Sequence, residues 1–121
     1  FRMYIRLLLT LTVCAALSGP ALAHHGWTGY DEDTPTNVVG TIRASSYDNP
    51  HATAQVQADG EKGKTWLAIL APPSRMQARG LSKDAIKPGT KATLVGYTSK
   101  TNPDEMRIER IIINGKTVEL R

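Results

Sequence analysis

The sequence predicts an all-β protein with one short helix, folded as a small five- to six-stranded Greek-key barrel of the OB type; a β-sandwich is the rival. Three observations carry this. From Asn37 onward, short runs rich in β-branched and aromatic residues are punctuated by Gly, Pro and Asn, the signature of strands and tight turns. The only helical signal falls between the third and fourth strands, where an OB barrel carries its helix. Near the C-terminus Asn114-Gly115 is the strongest hairpin signal in the chain.

The elements follow in order. Asn37 to Ser46 (NVVGTIRASS) reads as a first strand with a bend or bulge at Gly40. Tyr47-Asp48-Asn49-Pro50 is a turn. His51 to Ala58 alternates, with Ala52, Ala54, Val56 and Ala58 on one face and His51, Thr53, Gln55 and Gln57 on the other, as in a half-buried strand. Asp59-Gly60-Glu61-Lys62-Gly63 connects it to a third strand, Lys64 to Leu70. Pro72-Pro73-Ser74 ends that strand and opens a short helix, Ser74 to Arg79, which Gly80 stops. A brief helical turn, Ser82 to Ile86, precedes the turn Lys87-Pro88-Gly89-Thr90. Lys91 to Thr98 and Met106 to Ile113 are the fourth and fifth strands, and Lys116 to Leu120 returns from the last hairpin. Trp66 and Tyr97 fall in strands and read as core or barrel-wall residues.

Ahead of the barrel, the first 23 residues have the three parts of a cleavable export signal. Arg2 and Arg6 lead, with Met3 reading as a natural start; an apolar run from Leu7 to Leu17 follows; and Ala21-Leu22-Ala23 offers a small-x-small cleavage site. The run is too short to span a membrane, so a soluble periplasmic or secreted protein with no membrane anchor is expected. The single cysteine, Cys14, lies inside this leader. The mature chain then has no thiol for a disulfide, for nucleophilic catalysis or for a thiolate metal site. Its 98 residues suit one domain: an arm over residues 24–36 and a barrel over 37–121. Two of the 15 basic residues and none of the 11 acidic ones lie in the leader, which leaves a mature charge of +2. So weak a balance predicts no nucleic-acid partner.

Chemistry concentrates in the histidines. There are three, His24, His25 and His51, and cleavage after Ala23 makes His24 the first residue with a free α-amine. That amine and the His24 imidazole can chelate one metal ion as a histidine brace, with His51 supplying an opposing nitrogen and His25 a fourth. An all-nitrogen set favours Cu(II) in the divalent series, with Ni(II) or Zn(II) as other occupants. Asp31 and Asp33 are the nearest candidates for an axial or supporting carboxylate, although a short acidic run in a loop is commonly a solvated face. Cleavage after Leu22 would instead give Ala23-His24-His25, an amine-and-amide site that does not need His51. Trp27 and Tyr30 are placed to fold the arm onto the barrel. No nucleophile elbow, His-Glu-x-x-His pair or phosphate loop is present, so the expected role is holding a metal, not catalysis. The expected partners are the metal ion and a periplasmic metal-handling protein. The rival function is a non-metal OB-type module that binds a small ligand or a protein.

Several of these stretches together carry a resemblance: Ala23-His24-His25-Gly26-Trp27, Asn49-Pro50-His51-Ala52, Trp66-Leu67-Ala68, the Pro72-Pro73-Ser74 to Arg79-Gly80-Leu81 helix, and Lys87-Pro88-Gly89-Thr90 with Val95-Gly96-Tyr97. Over nearly all of residues 23–120 the chain resembles a family of small exported bacterial proteins known only as a domain of unknown function. In that family the His-His start and the Asn-Pro-His turn recur together, which implies that His24, His25 and His51 matter jointly. Gly26 stands where many relatives have serine. The resemblance implies no activity.

Overall fold

A computed structural model describes residues 26–60 and 63–121. Among the described residues there are six strands: β1 (Thr36–Ser46), β2 (Thr53–Ala58), β3 (Thr65–Ile69), β4 (Lys91–Thr98), β5 (Glu105–Ile113) and β6 (Lys116–Glu119). Between β3 and β4 lie the helix α1 (Pro73–Ala78) and a 3₁₀ turn, Lys83–Ile86. The strand order is β3-β2-β1-β4-β5-β6, and a further parallel pairing of β3 with β5 closes the first five strands into a barrel. The expected OB-type barrel is therefore the fold, and the sandwich is set aside. Closure runs through Leu67 opposite Glu105, Ala68 opposite Met106 and Ile69 opposite Arg107.

Alternation decides which side chains fill the barrel. Ala54, Val56 and Ala58 of β2, Ala92 and Leu94 of β4, and Met106 and Ile108 of β5 all belong to one buried cluster, as a period of two in each strand requires. Met76 of α1 and Ile86 of the 3₁₀ turn are fully buried in the same cluster, so the connection between β3 and β4 contributes to the core as well as spanning it. The helix starts where Pro73 supplies a fixed φ and needs no N–H partner, and it ends at Gly80, whose φ of +81° suits glycine alone. Its arginines tie it to the last strand: Arg75 donates to the Leu120 carbonyl at 3.2 Å, and Arg79 to the Glu119 carbonyl at 2.8 Å.

Two register irregularities shape the strands. The one in β1 lies between Ile42 and Ala44, not at Gly40 as the sequence suggests. Gly40 keeps regular pairing with both Ala58 and Ala92; it is glycine because a Cβ there would collide with the Gln57 backbone. The second irregularity lies between Val95 and Gly96 of β4, where Val95 faces Arg110 and Gly96 faces Ile108, leaving Glu109 as the extra residue. A Cβ at Gly96 would collide with the Arg107 carbonyl, so the two backbones can approach only if this residue has no side chain.

Gly96→Ala should therefore destabilise the barrel by about 2 kcal/mol, the scale of forced overpacking in a tight interior. In thermal unfolding this is a fall on the order of 10 °C for a domain of this size. An unchanged midpoint would mean that the contact between β4 and β5 yields easily.

Candidate functional site

The site is built on β5. Met106 and Ile108 point into the barrel, so the residue between them, Arg107, must point away from it. An outward arginine is ordinarily solvated, yet Arg107 is only 6% exposed. The cover comes from the residues before β1. Trp27 lies over the guanidinium, with the Arg107 Cζ 4.8 Å from its ring centroid, and meets Tyr97 edge-on at 6.1 Å and 77°. Tyr97 is the residue of β4 paired with Arg107, so Trp27 spans two neighbouring strands from outside the barrel. A second guanidinium, Arg121, lies 4.3 Å from the same ring centroid.

This covering segment is stitched to the end of β4. Tyr30 bridges Ser99, the Asp31 N–H donates to the Thr98 carbonyl at 2.9 Å, and the Lys100 N–H donates to the Gly29 carbonyl at 2.9 Å. The Tyr30 hydroxyl donates to Glu105 at 2.7 Å; burial, then that bond, push its pKa up to about 12. The Tyr97 hydroxyl donates to Glu109 at 2.9 Å, and that bond, with burial, raises its pKa as well. Both phenols stay protonated at neutral pH and act as fixed donors. Trp27 and Tyr30 thus hold the arm against the barrel, as their position in the sequence suggests.

His51 meets this cluster from the other side. It follows the Tyr47–Pro50 turn and stands two residues before β2, half-buried. Its Nε2 lies 3.1 Å from an Arg107 terminal nitrogen. A guanidinium can only donate, so Nε2 accepts and the ring proton sits on Nδ1. Burial, then the charges of Arg107 and Arg75, hold the His51 pKa below its ordinary value. The ring is neutral at pH 7. Arg107 also has its pKa lowered, first by burial, and its Nε is buried with no hydrogen-bond partner.

Of the predicted metal ligands, His51 is in the cluster, while His24 and His25 lie outside the described residues. The acidic run serves locally: Asp31 accepts from the Asp33 N–H at 3.3 Å, and Glu32 pairs with Arg121 at 2.7 Å. Among the described residues no group of three or more His, Cys, Asp or Glu side chains is close enough to hold a metal ion. Sequence reasoning missed Arg107. In Met106-Arg107-Ile108-Glu109 it occupies the polar phase of an alternating strand, and nothing local distinguishes it from a solvated side chain.

The class defined here is a small OB-type barrel whose outer wall carries an arginine–histidine pair beneath an aromatic arm. The chain belongs to a family of unknown function, DUF6152, whose model matches residues 12–106. No curated protein matches it. Among solved structures, a crystal structure of TiaS in complex with a tRNA and ATP is similar, at 16% identity and a TM-score of 0.49. The match covers 75% of this chain and 19% of that one, so this chain spans about a fifth of its length.

The depressed His51 pKa has a consequence for stability. In the unfolded chain the imidazole titrates near 6.5, and in the fold it titrates lower, so between the two values the unfolded state binds more protons. Stability should therefore fall as pH drops below about 6.5. Thermal midpoints at pH 7.5 and pH 5.5 should differ more for the wild type than for His51→Gln. Equal differences would remove His51 as the cause.

Proposed function

We propose that this is an exported periplasmic protein that binds Cu(II) through an N-terminal histidine site and buffers, carries or delivers the metal. The observation that carries the reading is the position of Gly26. A Cβ built there would lie 3.8 Å from both terminal nitrogens of Arg107, one of which is 3.1 Å from the His51 ring. His25 and His24 are bonded one and two residues ahead, at ~3.8 Å of Cα spacing each. The two N-terminal histidines are therefore tethered within reach of His51. The leader's small-x-small site after Ala23 would free the His24 amine, which completes an all-nitrogen donor set. Among the described residues no helix is long and apolar enough to cross a membrane.

A neutral His51 ring also favours ligation, since an imidazole must be unprotonated to bind a metal. Its Nε2 lone pair is engaged by Arg107, so the metal must compete with that hydrogen bond or use the other ring nitrogen. Arg107 and Arg75 further oppose a cation at this place: two unit charges 4 Å apart at a protein surface interact by about 4 kcal/mol. The amine chelate must outweigh this term, which makes the N-terminus the decisive ligand.

The test is calorimetric titration of Cu(II) into protein that begins at His24, verified by mass spectrometry. Binding is expected at one ion per chain. One extra residue ahead of His24, or His51→Ala, should weaken it at least tenfold, about 1.4 kcal/mol. Weak binding indifferent to both changes would end the metal reading.

A further inference from the structure

Arg107 is the buried charged side chain among the described residues, and it has no counter-ion there. The other described arginines are served: Arg110 by Glu119, Arg121 by Glu32, Arg43 by the Gln57 side chain, and Arg75 and Arg79 by backbone carbonyls. The carboxylates either side of Arg107 on β5 are engaged elsewhere, Glu105 by Tyr30 and Glu109 by Tyr97. Its polar partner is a neutral imidazole, and its Nε is left without any bond. A cation held out of water is costly unless an anion is paired with it, and Arg75 and Arg121 add charge of the same sign to its surroundings.

Three neighbours border the guanidinium. The Arg107 Cζ lies over the Trp27 ring, a cation–π contact that satisfies none of the guanidinium N–H groups, and Nε has no partner. The N–H edge is a planar fork matched to two oxygens of a carboxylate or phosphate. Gly26 stands beside the two terminal nitrogens, where a Cβ would be in ordinary van der Waals contact at 3.8 Å, so no side chain from that position meets the fork. His51 sits at the third side; once Arg107 releases its Nε2, the ring can donate there after its proton moves from Nδ1 to Nε2 or a second proton is gained.

We propose that Arg107 and His51, beside Gly26, bind a small oxyanion, a carboxylate or phosphate group, on the outer wall of the barrel. The site goes beyond the metal reading and does not depend on it. An anion there would also offset the repulsion that a cation at His51 meets.

The experiment uses metal-free protein beginning at His24 in a chloride buffer, titrated separately with sodium phosphate and sodium acetate. It is read by calorimetry and by the Arg107 Nε–H resonance in NMR. At least one anion should bind saturably at one per chain and shift that resonance; phosphate alone would assign a phosphate group, acetate alone a carboxylate. Arg107→Lys keeps the charge but loses the fork, and should bind at least tenfold more weakly. His51→Ala should weaken binding with the fold intact. If neither anion moves the Arg107 Nε–H resonance, or if Arg107→Lys binds as the wild type does, the proposal is overturned. Because no metal is present, either result stands apart from that of the copper titration.

Discussion

The burial of Arg107 on the outside of the barrel is the constraint around which the rest of this surface is arranged. An outward-facing arginine needs no arm above it, and an arm has no reason to dock on a charged strand unless something there attracts it. The guanidinium supplies that attraction through the Trp27 ring, an interaction worth about 0.5–2 kcal/mol according to how fully the cation is desolvated. Trp27 adds an edge contact with Tyr97, and the following residues add main-chain bonds to Thr98 and from Lys100. The same burial leaves the guanidinium short of hydrogen-bond partners, and His51 takes one of its donors. Arm and histidine thus meet at one guanidinium, through the Trp27 ring and the His51 Nε2.

The barrel supplies the rigidity this needs. Three strands converge at the site: β3 places Ile69 beside Arg107 across the parallel closure, β4 places Tyr97 beside it, and β2 begins two residues after His51. The extra residue in β5, Glu109, shifts the inward phase from Met106 and Ile108 to Ile111 and Ile113. It also puts the Glu109 carboxylate where Tyr97 and Arg121 both reach it. At the far edge of the sheet, Arg79 at the end of α1 holds the Glu119 carbonyl of β6 and Arg75 of α1 the Leu120 carbonyl just after it, so the last strand is anchored beyond its pairing with β5.

The strands were legible because each alternates or runs apolar between strong turn signals. The β4 boundaries match the sequence reading, and most others move by one or two residues. Gly40 shows the limit of that reasoning. A glycine inside a strand pattern signals either a bulge or a close approach of two backbones, and only the neighbouring strand, through Gln57, decides between them. In the acidic run the Asp31 carboxylate accepts from a nearby N–H and Glu32 reaches Arg121, partners that a solvated loop pattern does not announce. His51 was visible because histidines are few in this chain. Arg107 was invisible for the opposite reason: it is one of 15 basic residues, and its burial depends on Trp27, 80 positions earlier in the chain.

The site depends on the docking of the arm on β4 and β5, which brings Gly26 to Arg107 and its partner His51. The most direct measurement is solution NMR on protein beginning at His24, looking for nuclear Overhauser contacts from the Trp27 indole to the Tyr97 ring and the Arg107 side chain. Both contacts are expected, with slowed amide exchange at Asp31 and Lys100, whose N–H groups are hydrogen-bonded across the arm. A Trp27 with random-coil shifts and no contact to either residue would contradict the docking of the arm.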